Sequence, residues 1–398
     1  MLIKPQQQTS DIPMQYKEIS NLVGSSVNWL TNSDIRIKNG ENKGSLYGWK
    51  DLSPPRYPFI YSEITGYAIT FFCWIHNESK EPRILLLSQE AASWINNNLH
   101  SNLMVAGKLV KINPTFGMKG NLEDLIYSFD NGIIIAGLAN LYSISSDPKV
   151  LNTARNMADN LIKKFFDGNK MNPLLDRSFM ISNYGKGKWS TQSGPYHSKI
   201  AFGLLKLYRI LGDTIYRKVT ESICDYVLTF QQPDGRFTTN NERPTVTYLH
   251  PHLYACEGLL YAGLLLRNIE YISSCIKGID WATKLIDSVG ILPRSTEETN
   301  IVQTDCVAQL LRLLLICYLH KKKYLEGHMI ERMIDLLQSF LCNFYILQGQ
   351  DKGAVLYNNL SPHSACTWST MFAAQALSFW LKSRLDDKLS DDIMDYFI

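Results

Sequence analysis

The sequence lacks the features of several specialised protein classes. Its 398 residues carry 40 basic and 37 acidic side chains, a net charge of +3, so the overall charge does not favour nucleic acid or an anionic membrane as a partner. No run of about 18 apolar residues is present, which argues against a membrane-spanning helix. The polar segment from Met1 to Ser10 lacks the pattern of a secretion signal. We therefore expect a cytoplasmic protein with no membrane or nucleic-acid partner.

Paired cysteine spacing is also absent. There are eight cysteines but no CxxC cluster of the kind that binds zinc or builds a disulfide framework. Most of them lie on apolar helical stretches, namely Cys73, Cys224, Cys256, Cys275, Cys306, Cys317 and Cys342. We expect buried, reduced thiols, and we assign neither a metal nor another cofactor.

Helical periodicity, by contrast, extends along most of the chain. Helices that are apolar or small on every face alternate with helices that have one charged face, which predicts an inner layer and an outer layer. The predicted inner helices span residues 63–76, 130–143, 197–211, 252–266, 303–319 and 365–382. The predicted outer helices span residues 13–30, 84–99, 149–166, 213–231, 270–289 and 323–344. The loops that lead into the inner helices are long, and long loops gathered at one end of a scaffold are usually functional.

An ionisable residue stands at or near the start of each predicted inner helix. The series is Glu63, Asp130, His197, His252, Asp305 and His363. The five intervals between them, of 53 to 67 residues, indicate internal repetition and are longer than the roughly 34 to 47 residues of most helical solenoid repeats. We therefore predict an all-α, single-domain (α/α)6 toroid over residues 1–398, with peripheral tails at 1–12 and 384–398. Helix 13–30 would close the ring beside the last inner helix; an open α-solenoid is the alternative.

A closed ring would bring the amino-terminal ends of the six inner helices to one central funnel, where helix dipoles favour a polar or anionic ligand. The candidate catalytic residues are Glu63, Asp130, His197, His252 and Asp305. The candidate substrate-binding residues are Tyr61, Tyr67, Tyr196, His250, Glu257, Arg294, His363 and Trp368. The His-Pro-His segment at 250–252 invites a zinc interpretation, but no firm set of four ligands accompanies it.

Several of these positions also have a structural interpretation. Ser62 and Asp130 are suited to helix caps. Glu257 lies on an otherwise apolar helix, so it needs either a buried partner or a role in the site. Gln309 and Arg312 on the fifth inner helix would form either a polar lining or an internal ion pair.

The motifs resemble those of the six-hairpin toroidal carbohydrate-active proteins, which include unsaturated glucuronyl hydrolases and the N-acylglucosamine 2-epimerase type. The resemblance rests on the Gln-Gln-Pro-Asp-Gly-Arg-Phe segment at 231–237, a histidine-containing loop, and Glu-Gly-Leu at 257–259. Further likeness, to little-characterised proteins associated with polysaccharide biosynthesis, lies at residues 61–67, 129–132, 196–198 and Trp368. The resemblance implies the toroid and a carbohydrate ligand. The hydrolases' catalytic aspartate motif and the epimerases' paired histidine motifs find no match here, so no catalytic role is carried over.

The leading hypothesis is an enzyme that acts on a sugar or uronic-acid-containing glycan as a hydrolase, lyase or epimerase. Glycosidic cleavage needs two carboxyl groups of different pKa, and we predict Glu63 as the acid and Asp130 as its partner. Alternatively, His197 or His252 would be the general base of an epimerisation or elimination.

For a uronic acid, Arg294 and Lys199 would hold the sugar carboxylate. A non-catalytic glycan-binding or scaffold protein that uses the same funnel is the second hypothesis. A homodimer is our hypothesis for the oligomeric state.

Overall fold

Twelve α-helices dominate the part of the chain that the computed structural model describes, residues 14–109, 124–180, 187–320, 328–360, 363–385 and 391–398. They are α1 (Met14–Asn32), α2 (Ser62–Ser79), α3 (Pro82–Asn97), α4 (Ser128–Ser145), α5 (Pro148–Phe165), α6 (Ala201–Leu211), α7 (Thr214–Leu228), α8 (Leu249–Leu266), α9 (Ile269–Thr283), α10 (Thr304–His320), α11 (His328–Cys342) and α12 (Thr367–Leu385). The prediction of an all-α chain of twelve helices is confirmed.

The even-numbered helices from α2 to α12 form the inner layer. Each packs against the next, and α12 packs against α2, so the ring is closed. Helices α3, α5, α7, α9 and α11 pack outside it, and α1 packs on α12, as the sequence predicted. Burial explains the layering, because every residue of α2 from 62 to 75 is buried, as an apolar helix requires. The structure is therefore an (α/α)6 toroid and not an open solenoid.

Glycine allows the inner helices to approach neighbouring backbone closely. A Cβ atom on Gly258 of α8 would lie 2.2 Å from the backbone carbon of Ser198, and one on Gly137 of α4 would lie 2.6 Å from the carbonyl oxygen of Gly66 in α2. Because real side chains do not approach backbone this closely, these positions tolerate no side chain without a shift of the helices.

Short β-strands in the long loops were not predicted. They are β1 (Trp49–Leu52), β2 (Pro55–Arg56), β3 (Phe59–Tyr61), β4 (Gly107–Leu109), β5 (Leu125–Tyr127), β6 (Leu174–Asp176), β7 (Val355–Leu356) and β8 (Ser364–Cys366). Strand β3 pairs with β4, β5 pairs with β6, and the others form a sheet in the order β2-β1-β8-β7, all antiparallel. Strands β3, β5 and β8 run directly into α2, α4 and α12, so they fix where these inner helices begin.

The carboxyl-terminal residues pack inside the ring, although the sequence suggested a peripheral tail from residue 384. A 3₁₀ helix spans Asp391–Tyr396, and Phe397 and Ile398 are 3% and 1% exposed. The Gln375 side-chain amide on α12 donates to the carbonyl oxygen of Tyr396 (2.7 Å) and accepts from the backbone N–H of Ile398 (3.2 Å). The Phe397 ring packs against Phe202 of α6 and Phe379 of α12, and it lies 4.5 Å from the Arg312 guanidinium of α10, so this segment lies at the axis of the ring.

The cysteines follow the sequence prediction. All eight are unpaired; Cys342 is half-buried and the others are buried. Within the described ranges, no helix has the length and apolarity needed to cross a membrane.

Candidate active site

A cavity of about 210 Å³ opens at the amino-terminal ends of the inner helices. Every repeat of the ring contributes to its wall. The lining residues are Tyr61, Glu63, Ile64, Tyr127, Phe129, Asp130, Trp189, Ser190, Tyr196, His250, Tyr254, Asp305, Tyr357 and Trp368. The long loops and helix starts therefore meet at one place, as the repeat pattern predicted.

The cavity brings together some of the predicted site residues and not others. Those that line it are Tyr61, Glu63, Asp130, Tyr196, His250, Asp305 and Trp368. Those that do not are Tyr67, His197, His252, Glu257, Arg294 and His363.

Asp130 has a buried carboxyl oxygen that is not hydrogen-bonded to any described residue. Its side chain is 3% exposed, and its Oδ2 atom has no hydrogen-bond partner among the described residues. It does not cap its helix, because α4 begins at Ser128 and has no side-chain cap. Ser62 is likewise not a cap: its hydroxyl donates to the carbonyl oxygen of Ala106 at 2.6 Å. Asp130 therefore presents a carboxyl oxygen to the cavity with no structural use for it.

Glu63 and Asp130 form an electrostatically coupled pair. Burial raises the pKa of Glu63 to about 7, although a hydrogen bond from Tyr61 and the positive charge of Lys199 both lower it. Burial raises the pKa of Asp130 well above its usual range, and the charge of Glu63 raises it further. Two like charges in one desolvated site oppose each other, so the pair retains a proton near neutral pH.

His250 lines the same cavity, and one of its two ring nitrogens already has a protein partner. Its Nδ1 atom lies 2.8 Å from Oε1 of Gln309 and 3.5 Å from Oδ2 of Asp305. Its ring centroid lies 4.2 Å from that of Tyr254 and 6.0 Å from that of Trp189. Burial lowers the pKa of His250, and the charge of Asp305 opposes that change. A neutral imidazole thus stands in the wall.

Asp305 is held by Trp368. The indole Nε1–H donates to Asp305 Oδ2 at 2.8 Å, and the backbone N–H of Cys306 donates to Oδ1 at 2.8 Å. The Trp368 ring packs edge-on against Trp49 and Tyr357. Trp368 therefore belongs to the aromatic wall, where flat apolar faces with polar edges suit the C–H face of a sugar ring.

His197 and His252, two of the predicted catalytic residues, form hydrogen bonds with other parts of the protein through both ring nitrogens. The Nδ1 atom of His197 accepts from the N–H of Gly194 (3.3 Å), its Nε2 atom lies 3.2 Å from the Ser128 hydroxyl, and burial lowers its pKa to about 3. His252 accepts from the N–H of Phe237 at Nδ1 (3.3 Å) and donates to the carbonyl oxygen of Gly278 from Nε2 (3.0 Å). Neither imidazole has a nitrogen left for a substrate.

Two further candidates lie away from the cavity. His363 is exposed ahead of α12, and its backbone carbonyl accepts from the N–H of Leu52. Arg294 pairs with Glu298, with 3.4 Å between Nε and Oε2.

A buried ion cluster, formed by Lys199, Glu257 and Arg312, lies beneath the cavity. Lys199 Nζ is 2.7 Å from Glu257 Oε2, and Arg312 Nη2 is 2.8 Å from Glu257 Oε1, with all three side chains at most 1% exposed. The internal ion pair is therefore the correct alternative for Arg312 and Glu257. Lys199 is engaged with Glu257 and does not line the cavity, contrary to its expected role as a ligand for a sugar carboxylate.

An aromatic layer separates this ion cluster from the cavity. The Tyr67 hydroxyl donates to the Tyr254 hydroxyl at 3.1 Å. The Lys199 ammonium lies 4.3 Å from the Tyr254 ring centroid and 5.0 Å from that of Tyr67. Tyr67 thus supports the cavity from below, and Tyr254 is the member of the pair that lines it.

The sequence interpretation missed several aromatic residues of the wall. They are Tyr127, Phe129, Trp189, Tyr254 and Tyr357. A signal existed for Tyr127, because Tyr127-Ser128 repeats Tyr61-Ser62 at the same point of the next hairpin. Trp189 begins a 3₁₀ helix within a long loop, where periodicity gives no guide.

The donor atoms of His250, Asp305 and Cys306 lie within 4.8 Å of one another, which is compatible with a metal site. Their existing contacts argue against one. Nδ1 of His250 is bonded to Gln309, and Asp305 Oδ2 accepts from Trp368. The Nδ1 atom of His250 and the Oδ2 atom of Asp305 thus have protein partners, and we assign no metal to this group.

No family model and no curated protein matches this sequence. Solved structures do. The cellobiose 2-epimerase from Spirochaeta thermophila DSM 6192 is 13% identical with a TM-score of 0.72, over 95% of this chain and 100% of that one. A D-mannose isomerase is 11% identical with a TM-score of 0.72, over 92% and 99%. An unsaturated glucuronyl hydrolase specific for heparin is 9% identical with a TM-score of 0.67, over 94% and 99%. At these identities the likeness shows the fold: the chain shares the (α/α)6 toroid with sugar-acting enzymes.

Proposed function

We propose that the protein is a glycoside hydrolase in which Asp130 and Glu63 form the acid–base pair. The observation that carries the proposal is the buried Asp130 Oδ2 atom, which has no hydrogen-bond partner among the described residues and lines the cavity beside Glu63. Hydrolysis of a glycosidic bond requires one carboxylic acid and one carboxylate, and a coupled pair that shares a proton supplies both.

The environments assign the two roles. A hydrogen bond from Tyr61 and the field of Lys199 both stabilise the ionised form of Glu63. Asp130 has no such stabilisation from a side chain, and the charge of Glu63 favours its protonated form. Asp130 is therefore the acid, which reverses the assignment made from the sequence.

The reaction consumes one water molecule. Asp130 gives its proton to the glycosidic oxygen as the bond to the anomeric carbon breaks, and the leaving sugar departs as an alcohol. The Glu63 carboxylate acts on the opposite side as base for the water, or as nucleophile before the water arrives. The water's hydroxyl ends on the anomeric carbon, and its proton restores the pair.

The size of the cavity favours a single sugar ring. Drug-sized ligands occupy pockets of roughly 300 to 1,000 Å³, and this one measures about 210 Å³. We therefore propose cleavage of a terminal sugar rather than of a bond within a long bound chain.

The test is a screen of chromogenic glycosides and oligosaccharides with the wild type, Glu63→Gln and Asp130→Asn. Each change should lower kcat by about 100-fold or more, since general acid–base catalysis contributes about 10² to 10⁴. The matched control is Glu270→Gln, because Glu270 is an exposed glutamate in the first turn of the outer helix α9 and should be without effect. Unchanged turnover in both cavity variants would refute the assignment, and sugar binding without turnover by the wild type would favour the non-catalytic hypothesis.

A sugar epimerase is the second candidate, and His250 is the observation that favours it. A neutral imidazole in the cavity wall is suited to removing a proton from a carbon beside a carbonyl group. The two candidate reactions are distinguished by isotope incorporation into the sugar. Epimerisation in deuterated water places deuterium on the sugar carbon, whereas hydrolysis leaves every carbon-bound hydrogen in place.

A further inference from the structure

Gln309 on α10 connects the buried ion cluster to the cavity. Its side chain is fully buried. Its Nε2 atom donates to Glu257 Oε2 at 3.3 Å, and its Oε1 atom lies 2.8 Å from Nδ1 of His250. One amide group thus bridges a carboxylate that belongs to the ion cluster and an imidazole that belongs to the cavity wall.

The hydrogen-bonding partners of the Gln309 amide allow it only one orientation. Glu257 lies between Lys199 and Arg312, so it is an acceptor, and the amide nitrogen of Gln309 must face it. The amide oxygen, which accepts and cannot donate, then faces His250. Nδ1 must therefore carry the proton of the neutral ring, and the lone pair lies on Nε2.

The surroundings of His250 leave its Nε2 atom open to a ligand. None of the hydrogen bonds within the described part of the chain involves Nε2, and the side chain is 14% exposed toward the cavity that it lines. The charged groups that act on it are Asp305, Lys199 and Glu257; the two carboxylates raise its pKa, whereas the lysine and burial lower it.

We propose that Gln309, oriented by Glu257, is a positioning residue that holds His250 with its proton on Nδ1, so that Nε2 accepts a hydrogen bond from a hydroxyl of the bound sugar. The role of Nε2 rests on the proposed function, whereas the tautomer is a property of the protein without substrate. Gln309 and Glu257 would thus orient a ligand-binding side chain without contacting the ligand themselves.

His252 provides an internal reference for the test. Its Nδ1 accepts from Phe237 and its Nε2 donates to Gly278, so it carries the opposite tautomer two residues away. In the full-length protein with isotope-labelled histidine, the ring carbon and nitrogen chemical shifts distinguish the two forms. The loss of one set of signals in His250→Asn assigns them.

The wild type should show His250 protonated on Nδ1 and His252 protonated on Nε2. Gln309→Met removes the amide at similar length and leaves Asp305 Oδ2, 3.5 Å from Nδ1, as the remaining acceptor. The fraction of His250 protonated on Nδ1 should therefore fall, while His252 is unchanged. The matched control is Gln338→Met, because Gln338 is a glutamine of α11 that is 2% exposed and lies outside the cavity. A wild-type His250 protonated on Nε2, or a Gln309→Met variant with the wild-type tautomer, would overturn the proposal.

Loss of the His252 signals would reveal that Gln309→Met does not fold. In that case a second variant tests the proposal. Gln309→Glu keeps an oxygen for Nδ1–H but adds a carboxyl group beside Glu257. His250 should then keep its tautomer and titrate at a higher pH than in the wild type. An unchanged titration of His250 in Gln309→Glu would contradict the bridge.

Kinetics separate this proposal from the hydrolase. If a substrate is found, Gln309→Met should raise KM by about 5- to 10-fold with a smaller change in kcat, since one neutral hydrogen bond contributes about 1 kcal/mol. Unchanged activity in both Glu63→Gln and Asp130→Asn, together with the expected tautomer, would refute the hydrolase alone. The opposite tautomer together with loss of activity in Glu63→Gln would refute the bridge alone.

Discussion

The pH dependence of stability gives a quantitative test of the buried carboxyl pair. The pKa of Glu63 rises from 4.5 to about 7 because burial disfavours its charged form. Each pKa unit corresponds to about 1.36 kcal/mol, so ionising Glu63 costs about 3 kcal/mol more in the folded protein than in the unfolded chain. The folded state therefore binds the proton more tightly, and stability is lost as the pH rises from 4.5 through 7. Most of this loss, about 2 to 3 kcal/mol, falls between pH 5 and pH 8.

Glu63→Gln removes the charge and with it this loss. Unfolding entropy is roughly 2.1 cal/mol/K per residue, which gives about 0.8 kcal/mol/K for 398 residues. Thermal unfolding of the variant and the wild type should therefore differ by about 3 °C more at pH 8 than at pH 5, in favour of the variant. Asp130 adds to the effect in the same direction, because the charge of Glu63 raises its pKa.

Glu270→Gln is the control, because Glu270 is exposed, and its Tm difference from the wild type should be the same at the two pH values. An equal Tm difference for Glu63→Gln at pH 5 and pH 8 would show that Glu63 ionises as readily in the folded protein as in the unfolded chain. The acid–base role would then lose its physical basis.

Three other substitutions test the fold around the site. Glu257→Gln leaves two buried cations without their carboxylate and should lower the free energy of unfolding by about 3 to 5 kcal/mol, measured by urea denaturation; a loss below about 1 kcal/mol would contradict the ion cluster. Phe397→Ala empties the axis of the ring and should cost about 3 to 5 kcal/mol, whereas a free carboxyl-terminal tail would show almost no loss. Gly258→Ala forces α8 away from the backbone at Ser198 and should lower the Tm by several degrees; an unchanged Tm would contradict the close packing.

The ring could be predicted from the sequence because its signal is repeated. Six helices that are apolar on every face, which alternate along the chain with six helices that have one charged face, are compatible with few arrangements. The location of Glu63 and Asp130 at the cavity could be predicted for the same reason, since each lies in the first turn of an inner helix. The strands escaped prediction because each spans only two to four residues, too few for an alternation to be recognised.

The sequence alone could not show which of His250 and His252 faces the cavity. Both lie in the first turn of α8, and two residues along a helix differ by about 200° in direction. One imidazole must therefore face the cavity and the other must face away. The rotation of α8 that decides between them is set by its packing against neighbouring inner helices, including the close approach at Gly258, which no local pattern reports.

The most direct measurement is a crystal structure of Asp130→Asn with a bound oligosaccharide. We predict one terminal sugar ring within the aromatic wall, its glycosidic oxygen within hydrogen-bond distance of the residue-130 side chain, and Glu63 on the opposite side of the anomeric carbon. The distance between the two side chains would also distinguish inversion from retention. A sugar bound away from these two residues, with the cavity unoccupied, would contradict the account.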